Sequence, residues 1–231
     1  LVFFSRTLDQ VGLFTQDLAG MELAAAVLCR AWQELPAPQR PPVLGVPVGP
    51  YLEQTEPAAL RLFWQQMEQL ADAGVRVQRV PVLPDVEALN ALHRRLVFAE
   101  FAQEHASLYA QYAARYRPRT AEIIQIGRGV TPEELAAARA HIIALRGQLE
   151  EAMEAAGIDL WACPAACGPA PAGLHATGDP AMNLPWTHAG LPALTLPAGR
   201  AENELPLGLQ LVGRFGQDEA LVGWALRLAA P

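Results

Sequence analysis

Residues 183–199 read NLPWTHAGLPALTLPAG, and the reading of this stretch decides the fold. Pro185, Pro192 and Pro197 each remove a backbone donor, and His188, Gly190 and Gly199 interrupt the apolar run. The second half still alternates as a strand does, over Ala193 to Leu196. The stretch therefore predicts a stiff, turn-rich segment without regular hydrogen bonding, which feeds directly into a strand.

Working outward, Leu205 to Gly213 (LPLGLQLVG) is the next strand, with Leu207, Leu209 and Leu211 on one face. The closing GQDEALVGWALRLA predicts a helix. Asp218 and Glu219 sit at its positive end, Arg227 at its negative end, and Leu221, Trp224, Ala225 and Leu228 form the face to be buried. On the other side, Ala165 to Gly178 is a long Pro/Gly/Ala-rich loop, a class often functional in compact domains. Before it, Ile158 to Pro164 (IDLWACP) reads as a strand.

Further upstream lies a βαβ unit. Pro42 to Gly49 is a strand, Thr55 precedes a helix carrying Leu60, Phe63, Trp64, Met67, Leu70 and Ala71, and Gly74 fits the left-handed position past its end. Val75 to Val82 follows as a second strand, and this spacing implies parallel pairing with a right-handed crossover. Between this unit and Ile158 the pattern is helical. One helix is predicted from Asp85 to about Tyr116. Another runs from Thr131, where TPEE marks an N-terminus, to Ala156, with GRG at 127–129 as a turn between them. Residues 85–156 thus form a helical excursion. A first helix is predicted after a Thr15 cap, with Leu18, Glu22, Ala25, Leu28, Cys29 and Trp32 on its face. The expected fold class is α/β, a mixed, partly parallel sheet covered by helices on both faces.

The 231 residues are 52% hydrophobic and carry a net charge of −7, which argues against a phosphate-binding surface and hence against nucleic acid. Every basic residue is arginine; Arg115, Arg117 and Arg119 form a small cluster read as a solvated helix end. No apolar run reaches membrane-spanning length, and three cysteines with no framework spacing argue against a disulfide-built domain, so a cytoplasmic location is expected. The start, LVFFSRTLDQ, has neither a charged leader nor a long apolar region, so it does not read as a signal peptide. It also lacks an initiator methionine, so the chain is expected to begin inside a longer sequence or after processing.

Residue types alone do not build a reaction centre. Cys163, Cys167 and His175 match no common zinc spacing, so no metal and no cofactor are expected. Of the five histidines, His93 and His141 read as solvated or core-edge helix residues, while His175 and His188 lie in the loop-rich third and are better pocket candidates. The chain has no lysine and only two serines, Ser5 and Ser107, neither in a strand-to-helix elbow.

The last third, however, resembles the C-terminal part of the amidase signature family. The resemblance rests on DLWACPAACGPAP (Asp159–Pro171), TGDPAMNLPWTHAGLPALTLPAG (Thr177–Gly199) and LPLGLQLVGRFGQDEALVGWALRLA (Leu205–Ala229). SRTLDQVGLFTQDLAG is similar to the family's segment just downstream of its Gly/Ser-rich signature, through Ser5, Leu8, Asp9, Val11 and Gly12. Leu13 and Gln16 depart from the family's Pro and Arg. Between these anchors the βαβ order also fits. The resemblance implies that the chain is the C-terminal portion of one amidase domain. It also implies hydrolysis of a carboxylic amide C–N bond by a lysine and two serines. None of the three can be carried over here, so the triad is expected upstream of Leu1 and the chain alone is expected to be inactive. Met182, Asn183, Trp186 and Thr187 are the implied substrate-facing residues, the quoted stretch being a wall of the cavity for a small-molecule amide. The competing reading is a non-catalytic, degenerate relative or interaction subunit. Self-association is expected, because a sheet without its neighbouring strands exposes apolar faces and unpaired edges.

Overall fold

Every residue from Val43 to Pro47 is buried, the signature of a strand covered on both faces, and β1 (Leu44–Val48) lies inside the sheet. In this computed structural model, which describes residues 2–229, Gly49 turns at φ 106° into a short helix, α2 (Pro50–Glu53). Helix α3 (Pro57–Asp72) then returns the chain to β2 (Val77–Pro81), parallel to β1 from Leu44↔Val77 to Val48↔Pro81. Gly74, at φ 88°, ends the α3 crossover as its position predicts. β3 (Leu160–Pro164) pairs with the other side of β1, again parallel. β4 (Ala193–Arg200) and β5 (Pro206–Val212) complete the sheet antiparallel, in the order β2-β1-β3-β5-β4. The sheet is mixed and partly parallel, as the pattern requires.

Register assigns the two faces. Leu160 pairs with Leu44, Ala162 with Leu211, and Pro164 with Leu209, so these share the face against which α3 packs through Phe63. α1 (Leu18–Leu28) and α9 (Asp218–Ala229) flank the same side, near Leu194, Leu196 and Leu209. Trp161 and Cys163 point the other way, with Gln210, toward Tyr51 of α2, Met182 and Trp186.

That excursion is more divided than its periodicity suggests. It consists of α4 (Val86–Glu104), α5 (Ala106–Tyr112), a 3₁₀ turn (Ala113–Arg115), α6 (Pro118–Arg128) and α7 (Pro132–Ala156). The predicted single helix to Tyr116 breaks at His105. The predicted turn at 127–129 instead supplies the end of α6: Gly127 is helical, and a Cβ there would overlap the Phe98 carbonyl, so the glycine serves close α4–α6 packing. Thr131 and Glu134 form a complete capping box on α7, which stops at Gly157 in the left-handed conformation.

Two other expectations need correction. Asp17, not Thr15, caps α1: its carboxylate accepts from the Gly20 N–H at 2.7 Å, while the Thr15 hydroxyl donates to the Asp17 carbonyl. Ala25 is the one fully buried residue of α1, and Leu28 and Cys29 are exposed. In α9, Leu221, Val222 and Ala225 are buried, whereas Trp224 is only part-buried, with the Arg40 guanidinium 5.3 Å from its ring centre.

Candidate active-site segment

The quoted stretch is not irregular throughout: Leu184–Ala189 forms a short helix, α8. Pro185 is tolerated in its first turn, where the missing N–H has no helical acceptor. Gly190 ends it at φ 69°, its N–H donating to the Thr187 carbonyl, and a side chain there would also press on Arg146. The Pro192 carbonyl then accepts from Gly213, aligning the entry into β4.

A buried polar network fixes this segment to the sheet. The Tyr51 hydroxyl donates to the Met182 carbonyl at 2.8 Å and accepts from Trp186 Nε1 at 2.9 Å. Gln210 Nε2 lies 3.3 Å from both the Met182 carbonyl oxygen and Cys163 Sγ. Thr55 Oγ1 reaches Met182 Sδ at 3.4 Å. Trp186 meets Tyr51 edge-on, with ring centres 5.5 Å apart, and packs near Trp161. Burial holds the Tyr51 phenol well above its ordinary value and pushes the Cys163 thiol up to about 11, so neither group supplies an anion at neutral pH.

Of the four residues expected to face substrate, Met182 and Trp186 are fully buried and act as the underside of the segment. Asn183 is exposed, with its Nδ2 3.4 Å from the Ala165 carbonyl, and Thr187 is part-buried. Alternation of polarity along a short Pro-containing helix is too brief to reveal this division.

Ser5 is occupied. It is buried, and its hydroxyl donates to Glu100 Oε2 at 2.6 Å. Glu100 also accepts from the Thr7 N–H and hydroxyl and from Arg139. Burial alone would raise the Glu100 carboxyl, but the bonds from Ser5, Thr7 and Arg139 outweigh it and hold it below its usual value. Residues 5–7 are thereby tied to α4, a link that sequence reasoning missed. The available signal was an acidic residue inside the apolar run Phe98–Ala102. Ser107 is exposed on α5.

The histidines also sort differently from expectation. His175 is exposed in the long loop, whereas His188, His93 and the part-buried His141 pack together between α8, α4 and α7. Cys163, Cys167 and His175 do not converge, and among the described residues no three His, Cys, Asp or Glu side chains are arranged to hold a metal ion. A cavity of about 480 Å³ opens between the β2–α4 corner and α7, lined by Leu83, Leu89, Leu149, Asp85 and His141. A second, of about 800 Å³, runs beside β4 and is lined by Phe14, Leu70, Leu194, Leu196, Leu209 and Leu226. Among the described residues no helix is long and apolar enough to cross a membrane.

The fold recurs in proteins of known class. The amidase family profile matches residues 1–222. The chain belongs to the amidase signature family. A 2-amino-5-chloromuconic acid deaminase from Comamonas testosteroni is 26% identical over 247 residues, covering 100% of this chain and 53% of its own length. The crystal structure of an amidase superposes with a TM-score of 0.80 at 25% identity, over 92% of this chain and 51% of that one. The fold is shared as well with a 6-aminohexanoate cyclic dimer hydrolase, at a TM-score of 0.69 and 19% identity over 93% of this chain and 53% of that one. This member of the amidase signature family therefore spans about half the length of these relatives.

Proposed function

We propose that this chain is the C-terminal portion of a single amidase-signature domain that hydrolyses the C–N bond of a small-molecule amide. In this reading the Ser-Ser-Lys triad lies on the complementary portion of that domain. The observation that carries it is the position of the α8–β4 segment: it is locked to the sheet by Tyr51 and Gln210 within a fold that matches half of an amidase. The chain itself offers no lysine, and the Ser5 hydroxyl is already bonded to Glu100. Its contribution is therefore shape, apolar surface and rigidity, while the nucleophile and its base come from elsewhere. A relative that aligns along the whole chain is named for deamination of a small organic acid, which favours a small molecule as substrate.

The place of the complementary portion is the side bearing the edge strand β4 and the 800 Å³ groove. Val2, Val11, Phe14, Leu23, Val27, Leu28 and Leu35, all within the first 35 residues, are exposed, which is a large apolar surface for a folded domain to leave in water.

The test is expression of the chain alone and joined to the coding sequence upstream of it, followed by ammonia release from simple aliphatic and aryl amides. Activity is expected only in the joined protein. Hydrolysis by the chain alone, surviving repurification, would overturn the reading. So would an upstream sequence with no lysine followed by a Gly/Ser-rich run.

A further inference from the structure

Three imidazoles from three helices meet behind α8. The ring centre of His188 lies 5.5 Å from that of His93 on α4 and 5.2 Å from that of His141 on α7. His141 Nδ1 and His188 Nε2 are 3.2 Å apart, so one ring donates and the other accepts. The remaining ring nitrogen of His188, Nδ1, is buried without a partner, and so is Nδ1 of His93. His188 is fully buried and His93 is 6% exposed.

The surroundings favour the neutral form of His93 and His188. On α4, the charge of the exposed Arg94 disfavours a proton on its neighbour His93; on α7, Arg146 donates from Nε to the Ala189 carbonyl at 2.8 Å and stacks its guanidinium on Phe215. Tyr51 of α2 and Cys163 of β3 flank α8 on the Trp186 side, and burial keeps both neutral. Asp85 stands on the cavity that His141 also lines. No carboxylate is hydrogen-bonded to any of the three rings among the described residues. Burial first, then Arg94 for His93 and the neighbouring imidazoles for His188, lowers both groups to about 4.

We propose that this stack is a proton-sensitive latch: with the rings neutral it clamps α8 to α4 and α7, and proton uptake releases α8 together with the Met182–Gly190 segment. The physical cause is mutual exclusion. A proton on His188 puts its charge against two other imidazoles, and one on His93 puts it against Arg94; either way a buried N–H is left unpaired, with no carboxylate bonded to the ring. In the opened segment His93 and His188 are hydrated and take up their protons at the ordinary value, so acid draws the equilibrium toward opening. The latch does not depend on the hydrolytic role.

Amide hydrogen exchange of the chain, corrected for the intrinsic pH dependence of exchange, tests this. The Thr187, Gly190 and Leu191 amides, which donate within the segment, report opening of α8, and those of β3 report the sheet. Opening of α8 is expected to be at least about tenfold more frequent at pH 5 than at pH 7.5, with β3 changing far less. His93→Leu, which keeps apolar volume on α4, is expected to remove at least threefold of that acid-induced opening while α8 stays protected at pH 7.5. His141→Gln is the second variant and should act in the same direction. The proposal is overturned if α8 and β3 lose protection together, if α8 is insensitive to pH, or if both variants open as the parent does.

Discussion

Trp186 Nε1 donates to the Tyr51 hydroxyl at 2.9 Å, and the same hydroxyl donates onward to the Met182 carbonyl. One phenol thus ties Met182, just ahead of α8, and Trp186, within it, to a helix that leaves β1. Because all three residues are buried, no water replaces the bonds if the phenol oxygen is removed.

Tyr51→Phe should therefore destabilise the chain by about 1–3 kcal/mol, chiefly because the indole N–H loses its acceptor. The Met182 carbonyl keeps its contact with Gln210. Urea unfolding followed by tryptophan fluorescence measures the difference. A loss under about 0.5 kcal/mol would mean that the network is replaceable.

Gly127→Ala should cost about 1–3 kcal/mol through overpacking, since the added methyl meets the backbone of α4 rather than a flexible side chain. Gly147, on α7 with open space around its Cβ position, is the control: Gly147→Ala should be neutral or stabilising by up to about 1 kcal/mol. Equal effects at the two sites would refute the α4–α6 contact.

How much of this was readable beforehand depends on sequence separation. β1 and β3 were legible because their residues are apolar without alternation, and α7 because TPEE and Gly157 mark its ends. α8 was not, since Pro185 within it and Pro192 and Pro197 beyond it mask a helix of six residues whose Trp186 is bonded to Tyr51, 135 residues away. The Ser5–Glu100 link spans 95 residues, and the His141–His188 pair spans 47; no local pattern encodes such pairings. For Met182, Asn183, Trp186 and Thr187 the sequence did not separate the buried side chains from the exposed ones. Which side chain turns inward follows from the pitch of a helix that the prolines concealed.

Stability should fall on mild acidification. The folded-state values of His93 and His188 lie below the unfolded value, so their contribution is complete above about pH 6.5 and is lost as pH falls toward 4. Glu100 and Asp159, both held low, then lose their contributions below the ordinary carboxylate range. Between pH 6 and 5 the slope should correspond to the uptake of one to two protons on unfolding, about 1.4–2.7 kcal/mol per pH unit. Denaturant midpoints across pH 4.5–8 measure it, and a flat profile above pH 5 would contradict the burial of these rings.

Purified alone, the chain should bind a hydrophobic dye and self-associate, because Phe14 is exposed beside the edge strand β4 and Val11 and Leu28 are exposed as well. Sedimentation and dye fluorescence report this. Joining the upstream coding sequence should suppress both signals. A monodisperse chain that leaves the dye dark would favour a self-sufficient binding protein over half of an enzyme.

The sharpest separation of support from recognition lies within α8 itself. Asn183 is exposed at its start, while Trp186, one turn on, is buried against Tyr51 and Trp161. If the joined protein has the proposed amidase activity, these residues should fail in different ways. Trp186→Phe removes the indole N–H and part of the ring, so it should lower stability by about 1–3 kcal/mol while leaving the ranking of amides unchanged. Asn183→Ala deletes a surface carboxamide whose internal contact, to the Ala165 carbonyl, is long at 3.4 Å. It should therefore change stability by less than about 0.5 kcal/mol. If the carboxamide meets substrate, however, it should alter the ratio of kcat/KM values between amides that can and cannot hydrogen-bond to it by roughly tenfold or more. The two readouts are independent, so each variant is scored on both. A change of ranking in Trp186→Phe with stability intact would return the indole to the cavity wall. An unchanged ranking in Asn183→Ala would leave the whole segment as the rigid base on which other residues do the selecting.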